Sequence, residues 1–198
     1  MQTPQQIKRR DIQELFSRVL QNQELKLSPY DISVKESWNS DFTIVDLAIA
    51  ETIGDTPKSR ELTEKQARGF VDGIFKACYK QYIENNPSLQ NIRLVEYQVA
   101  PKFNKAKNTM GSDAKTEVTI MVEAKGRPVA EFKCTSRSIL HSSLSATLEA
   151  FQFYINCGKA FEKIRLVIED AESRNRADIV QKCMSDLHFL TTVNSYDE

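Results

Sequence analysis

The chain has 198 residues, and its 27 Lys and Arg residues balance its 27 Asp and Glu residues. This length fits one domain with appendages and is enough to bury a hydrophobic core. The zero net charge lacks the positive surplus with which proteins hold nucleic acid, so we expect no nucleic-acid partner. No run approaches the roughly 18 consecutive apolar residues of a transmembrane helix, so we expect no membrane segment.

The cysteine pattern and the N-terminus both bear on the compartment. Cys78, Cys134, Cys157 and Cys183 are far apart in sequence and form no Cys-x-x-Cys pair. Buried free thiols are therefore their expected state, and a reducing cytoplasm is the expected location. Residues 1–11 contain no apolar segment, so we do not expect a signal peptide.

The first predicted element is an amphipathic helix over about residues 4–23. Thr3 is its expected N-cap, and Pro4 stands at the first helical position. The helix belongs to a predicted N-terminal segment, residues 1–28, and its apolar stripe must pack on the main domain or on a partner chain. Helical spacing defines that stripe as Ile12, Leu15, Phe16, Val19 and Leu20.

The main domain is predicted over residues 29–160, and its first half reads as strands followed by a helix. Alternating apolar residues predict strands over 30–38 and 42–50. Residues 54–59 are rich in turn formers and are predicted to form a loop. A helix is predicted over about 69–85, because apolar residues recur there three and four positions apart.

The second half of the domain repeats this order. Strands are predicted over 92–99, 117–124 and 129–135, and a helix over about 139–157. The repetition predicts an internal duplication. The expected fold class is α+β, with two βββα units whose helices pack on antiparallel sheets, plus flanking N- and C-terminal helices.

Residues 161–198 form a predicted C-terminal extension. Residues 161–168 fit either a short strand or a helix, and the pattern leaves both alternatives open. A helix is predicted over 175–189, followed by a frayed end over 191–198.

No group of side chains has the spacing of a catalytic or metal centre. His141 and His188 are far apart, and neither belongs to a His-x-His or His-Glu-x-x-His pattern. Phosphate-binding, dinucleotide-binding and nucleophile-elbow motifs are also absent. We therefore expect no catalytic residues, no metal ligands and no cofactor.

Two helix starts offer backbone amides that suit a carboxylate. One lies at Gly69–Asp72 and the other at Ser136–Ile139. Asp113, in the turn before a strand, is a candidate to receive an ammonium group. Together with an apolar floor, these groups match the needs of a free amino acid. Ordinary helix capping and turn bonding explain the same residues without a ligand, and both interpretations stay open.

Three sequence elements resemble the C-terminal regulatory domain of 2-isopropylmalate synthase. Residues 111–118 (GSDAKTEV) resemble its G-[TS]-D-A-x-x-x-V element. Residues 69–77 (GFVDGIFKA) resemble its G-x-G-P-V-D-A-x-x-x-A element from the second Gly onward, and Ala67 stands at the first Gly. Residues 136–143 (SRSILHSS), with Asn156 further on, resemble its S-x-D-I-I-E-A-S helix start and closing Asn. The resemblance covers about residues 30–158.

The resemblance implies a fold, partners and a ligand. Such domains consist of two βββα units, form a homodimer, and bind an end-product amino acid at the dimer interface. The ligand is leucine in 2-isopropylmalate synthases and isoleucine in citramalate synthases. Binding inhibits a condensing barrel of about 250 residues, which we expect to lie outside this chain.

The implied partners are a second copy of the chain, a synthase-type catalytic chain, and a branched-chain amino acid or related small acid. The resemblance implies that backbone amides, one carboxylate and an apolar floor hold this effector. The residues concerned are Gly69, Phe70, Val71, Asp72, Ile74, Asp113, Ser136, Ser138, Ile139, Leu140 and Leu144.

The chain departs from the family pattern close to the expected ligand. Phe70 stands where the pattern has Pro, and Ser138 and His141 stand where it has Asp and Glu. A bulky Phe70 is expected to narrow the pocket. A second hypothesis is therefore a structural or interaction protein with the same fold and no ligand. A third, an enzyme in its own right, lacks a visible catalytic set.

Overall fold

The computed structural model describes residues 4–102 and 115–194, with the backbone alone for residues 4–10. The described part contains two three-stranded antiparallel sheets, each followed by a helix, and further helices at both ends. This confirms the predicted α+β class of two βββα units with flanking helices. Thr3 and Asp113 lie outside the described residues.

Helix α1, Pro4–Leu20, continues into a 3₁₀ turn at Gln21–Gln23. The helix predicted over 4–23 is thus confirmed. Ile12 and Phe16 are 1% exposed and belong to the same core as the rest of the chain. The apolar stripe is therefore covered within this chain, which decides between the two alternatives left open for it.

The first unit comprises three strands and a helix. Strand β1 spans Leu25–Lys35, β2 spans Thr43–Ile53 and β3 spans Thr56–Ala67, in the sheet order β1-β2-β3. Helix α2, Phe70–Tyr82, packs on β2 and β3. The apolar spacing predicted that this helix ends at residue 85, whereas it ends three positions earlier, at Tyr82.

The loop predicted over residues 54–59 is wrong, because β3 begins at Thr56 after a turn at Gly54 and Asp55. Gly54 adopts φ 63°, a left-handed conformation that glycine tolerates without strain. Only Leu62, Glu64 and Ala67 of β3 are buried. An edge strand with so few buried side chains has little apolar alternation, so its sequence does not indicate a strand.

The second unit has the same order of elements. Strand β4 spans Ile92–Lys102, β5 spans Lys115–Ala124 and β6 spans Ala130–Ser136, in the sheet order β4-β5-β6. Helix α3, Ile139–Ser173, packs on β5 and β6 and also on β1 of the first unit. Helix α4, Ala177–Thr191, then packs on α3.

Helix α3 is 35 residues long and runs without a break through position 160. Residues 161–168 are therefore helical, and the strand alternative for them is wrong. Ala160, Ile164, Ile168 and Ala171 are buried. Their spacing of four, four and three residues keeps one face of the extended helix against the protein.

Aromatic rings join the two units into one core. Phe75 of α2 lies 5.0 Å from Phe151 of α3, measured between ring centroids. Phe16 of α1 lies 5.8 Å from Phe153, which in turn lies 5.8 Å from Phe132 of β6. Tilted and edge-to-face rings at such separations attract one another and fix their neighbours' positions. The two helices α2 and α3 are thus held side by side.

Polar side chains of α3 cover the free edge of β1. The Leu25 amide donates to Asn156 Oδ1 at 2.9 Å, and Asn156 Nδ2 donates to the Leu25 carbonyl at 2.9 Å. The Leu27 amide donates to Gln152 Oε1 at 2.9 Å. These contacts satisfy buried backbone groups at an edge that would otherwise be open to pairing. Asn156, noted for its place in a sequence element, therefore links the two units.

All four cysteines are free. Cys78 and Cys157 are buried, whereas Cys134 and Cys183 are half-buried. Burial raises the pKa of Cys78 to about 12. Within residues 4–102 and 115–194, no helix is both long enough and apolar enough to cross a membrane.

Candidate functional site

Residues near the starts of α2 and α3 both contact Tyr97 in β4. The ring of Phe70, the first residue of α2, meets the Tyr97 ring edge to face, with centroids 6.0 Å apart. The Tyr97 hydroxyl lies 3.0 Å from Ser143 Oγ in the first turns of α3. The structure thus brings together the two helix starts that the sequence singled out.

The start of α2 is open to an acceptor. Gly69 is the N-cap residue, and no described side chain makes a capping hydrogen bond there. Its φ of 155° is one that side-chain-bearing residues rarely adopt, which explains the glycine. The Gly69 carbonyl accepts the first helical hydrogen bond, from the Gly73 amide at 3.0 Å. Free amides at such a helix start are suited to bind an anion.

Asp72 is engaged within its own helix. Its Oδ2 accepts from the Arg68 amide at 3.0 Å and from Lys76 Nζ at 2.7 Å. Burial alone would raise the pKa of Asp72, but the hydrogen bonds from Lys76 and the Arg68 amide lower it below its ordinary value. Asp72 therefore fixes the turn that leads into α2, which is a structural role.

The start of α3 is built from serines that bond one another. Ser138 is the N-cap residue, and its Oγ accepts from the His141 amide at 3.2 Å. Ser136 Oγ donates to the Ser138 carbonyl at 2.8 Å and lies 2.7 Å from Ser142 Oγ. Ser142 is fully buried. This is the capping arrangement that the sequence left open as an alternative to ligand binding.

The three residues predicted as apolar contacts differ in burial. Ile74 and Leu144 are at most 1% exposed and belong to the core, whereas Leu140 is half-buried. Val71 and Ile139, predicted for their backbone amides, are half-buried and 43% exposed, respectively. The side chains of Val71, Ile139 and Leu140 therefore reach the surface near the helix starts.

An ion pair between a buried carboxylate and an exposed ammonium group anchors α2 on its sheet. Glu64 of β3 is 3% exposed and accepts from Lys80 Nζ of α2 at 2.5 Å and from the Gln66 amide at 3.0 Å. The hydrogen bond from Lys80 lowers the pKa of Glu64, against the opposing effect of burial. A carboxylate on one element and an ammonium on the other keep α2 in register with β3.

Tyr97 and Ser143 are absent from the set that the sequence predicted. Tyr97 lies opposite Ile120 of β5, which is fully buried, so its side chain shares the helix-covered face of the sheet. The strand period of β4 placed Tyr97 and Val99 on one face. The strand period therefore indicates which face of the sheet Tyr97 occupies, but it does not indicate that α2 lies beside Tyr97.

Residues 6–155 match the family model described as the LeuA allosteric (dimerisation) domain. The match runs from α1 through both βββα units into the first half of α3. The chain therefore belongs to this family, and the resemblance to the regulatory domain of 2-isopropylmalate synthase is confirmed. No curated protein matches the chain.

Proposed function

We propose that the chain is a regulatory module that binds a branched-chain amino acid or a related small acid. It controls a condensing enzyme of leucine or isoleucine biosynthesis. The observation that carries this proposal is membership of the allosteric domain family across both units. The convergence of both helix starts on Tyr97 supports it, because the family's ligand elements then share one region.

In this proposal the ligand carboxylate binds the amides at the start of α2, where no described side chain competes for them. The ammonium group is received by Asp113. The aliphatic side chain packs against Val71, Ile139 and Leu140, which reach the surface beside the helix starts. This division of polar and apolar contacts is typical of sites for small amphipathic ligands.

The module acts as a homodimer in this proposal. Trp38 is fully exposed and Phe42 is 48% exposed in the hairpin between β1 and β2. Thr43 pairs with Ala67, so this hairpin lies at the same end of the sheet as the start of α2. A second copy that covers the aromatic side chains would also approach the ligand region, which fits a site at a dimer interface.

The proposed catalytic partner is a synthase-type chain, and the proposed location is the cytoplasm. Four free thiols support the reducing compartment. Co-expression with a synthase barrel, followed by assay of acetyl-CoA consumption with and without the amino acid, tests the control function directly.

Ligand binding is tested by isothermal calorimetry and thermal shift with leucine, isoleucine and valine at millimolar concentration. A ligand at one hundred times its Kd stabilises the folded state by about 2.7 kcal/mol, which a thermal shift detects. Leucinamide and D-leucine are the matched control ligands. No heat and no shift with any of the three amino acids would refute the sensing role.

The variant Val71→Asp sharpens this test. A carboxylate in the first turn of α2 interacts favourably with the helix dipole, so the stability of the folded protein should be preserved. The same carboxylate repels the carboxylate of a bound ligand, so the affinity for the amino acid should fall. Ala177→Asp, in the first turn of α4, is the matched control and should leave affinity unchanged. Equal ligand affinity in both variants would contradict a carboxylate site at α2.

A second candidate function is a dimeric interaction module without a ligand. The serine hydroxyls at the start of α3 bond one another, and the Asp72 carboxylate is held by Lys76 and a backbone amide. These groups therefore need no ligand. Absence of amino-acid binding together with a stable dimer in sedimentation would favour this candidate.

A further inference from the structure

A cavity of about 770 Å³ lies at the far end of α2, away from the helix starts. Its walls come from the end of α1, the end of β2, the 3₁₀ turn Pro87–Asn91 and the middle of α3. The volume falls within the roughly 300–1,000 Å³ that small-molecule sites occupy. Its apolar lining residues are Leu20, Ile53, Phe161 and Leu166.

The cavity exists because α2 is shorter than the sheet it covers. Gly73 of α2 lies directly over Val45, whereas α2 ends at Tyr82 and β2 continues to Ile53. Ile53 is left 43% exposed. At Gly158 an added Cβ would lie 2.9 Å from Ser88 Oγ, so the glycine lets the 3₁₀ turn rest directly on α3 and close one wall.

Lys159 lines this cavity and is half-buried. Among the described residues it makes no hydrogen bond or ion pair, unlike its neighbour Lys163, which donates to Gln23 Oε1 at 3.4 Å. Burial lowers the pKa of Lys159, although the negative charge of Glu51 acts in the opposite direction. A desolvated ammonium without a hydrogen-bonded anion costs free energy that a bound anion would offset.

The other charged groups near the cavity already have partners. Glu51 accepts from Arg60 Nε at 2.8 Å, and Glu162 lies 3.7 Å from Arg165. The lining's other lysine, Lys163, donates to Gln23 Oε1, so among the described lining residues Lys159 is the ammonium that has no hydrogen-bonded acceptor. Asn85 and Ser88 add polar groups at the same wall.

We propose that this cavity binds a small monocarboxylate with an apolar body and no ammonium group. The carboxylate pairs with Lys159, and the hydrocarbon packs against Leu20, Ile53 and Phe161. A phosphate or nucleotide would need a cluster of free cations or backbone amides. Of the two lysines that line this cavity, Lys163 already donates to Gln23, which leaves Lys159 beside the apolar side chains. A free amino acid would need a free acidic group for its ammonium, and Glu162 lies beside Arg165.

The test uses the full chain and 4-methylpentanoate as the probe, with 4-methylpentanamide as its neutral match. Calorimetry should show the acid binding more tightly than the amide by about tenfold or more, the value of one charge-assisted hydrogen bond. Lys159→Met should reduce acid affinity by a similar factor. Lys125→Met, in the exposed turn before β6, should not change it. Equal binding of acid and amide, or an unchanged Lys159→Met variant, would overturn the proposal.

A second measurement needs no variant. Limited acetylation with acetic anhydride, followed by peptide mass spectrometry, gives the modification rate of each lysine. The acid should slow acetylation of Lys159 and leave that of Lys125 unchanged, whereas equal rates with and without the acid would contradict the proposal. Val71→Asp changes the proposed amino-acid site and should leave the protection of Lys159 by the acid intact. The test of the cavity can therefore fail or succeed independently of the test of the amino-acid site.

Discussion

The contact between Gly73 and Val45 predicts that Gly73→Ala destabilises the protein. A Cβ at position 73 would lie 2.4 Å from Val45 Cγ2, 3.1 Å from Val45 Cβ and 3.0 Å from Ala67 Cβ. Rotating Val45 relieves only the first contact, so α2 itself must move. Alanine in an exposed helix would stabilise by about 0.5–1 kcal/mol over glycine. Overpacking costs about 1–3 kcal/mol, so the net loss lies between about 0 and 2.5 kcal/mol. We expect about 1–2 kcal/mol, because two of the three close contacts remain after Val45 rotates.

Urea unfolding at 25 °C measures this loss. The midpoint should fall by about 0.5–1 M with an unchanged slope. Gly158→Ala is the matched control, because its Cβ would meet only the side chain of Ser88, and it should lose less. In a Val45→Ala background the cost of Gly73→Ala should shrink, since the two residues are in contact. A Gly73→Ala protein as stable as the parent would refute the close-approach argument.

Three further predictions concern stability and assembly. Asn156→Ala should cost about 2–4 kcal/mol in urea unfolding, because it leaves the buried Leu25 amide and carbonyl without partners. Glu64→Gln should weaken the contact with Lys80, and the free energy of unfolding should then depend less on pH under acid conditions. The folded pKa of Glu64 is lowered, so its contribution is present above the ordinary pKa of 4.5 and is lost as pH falls through the folded value. Trp38 is the chain's one tryptophan, so its emission should move to shorter wavelength as protein concentration rises, if the hairpin lies in the dimer interface.

Gln152→Ala removes a single hydrogen-bond acceptor at the same edge of β1. If it lowered the free energy of unfolding as much as Asn156→Ala does, the two hydrogen bonds of Asn156 would not explain that loss. The range from pH 6 to pH 3 spans the ordinary pKa of a glutamate. If the free energy of unfolding changed equally with pH in Glu64→Gln and the parent over this range, Glu64 would not contribute the proposed pH dependence. Unchanged Trp38 emission across a dimerisation that sedimentation detects would exclude the hairpin from the interface.

The predictable part of the fold is the part that buries one regular face. Strand β5 carries Val118, Ile120 and Val122 at alternate positions, and all three are fully buried, so the strand period found it. Strand β3 has polar side chains at nearly every position and was missed. The segment 161–168 has apolar residues that fit both periods, and the structure resolves the choice because the segment continues α3 with Ile164 and Ile168 buried on one face.

The candidate sites show the same limit. Both helix starts could be found from local sequence, because capping residues and glycines mark them. Their meeting at Tyr97 depends on how α2 and α3 lie across two sheets, which no local pattern encodes. The cavity at Lys159 depends on the difference between where α2 ends and where β2 ends, and on Gly158 admitting a neighbouring turn. Both the meeting of the helix starts and the cavity depend on how elements distant in sequence pack together, so they can be found only from the three-dimensional structure.

The residues that depart from the family pattern all have contacts within the chain or lie at the surface. Phe70 packs edge to face on Tyr97, and Ser138 caps α3 as the family's Asp also would. His141 is exposed. These replacements therefore preserve the helix starts while they remove negative charge and add bulk beside them. Because Ser138 still caps α3, we expect the loss of the carboxylates to affect the proposed ligand site more than the fold. A site with fewer acidic groups at α3 is expected to rely more on Asp113 for an ammonium group, or to favour a ligand that lacks one.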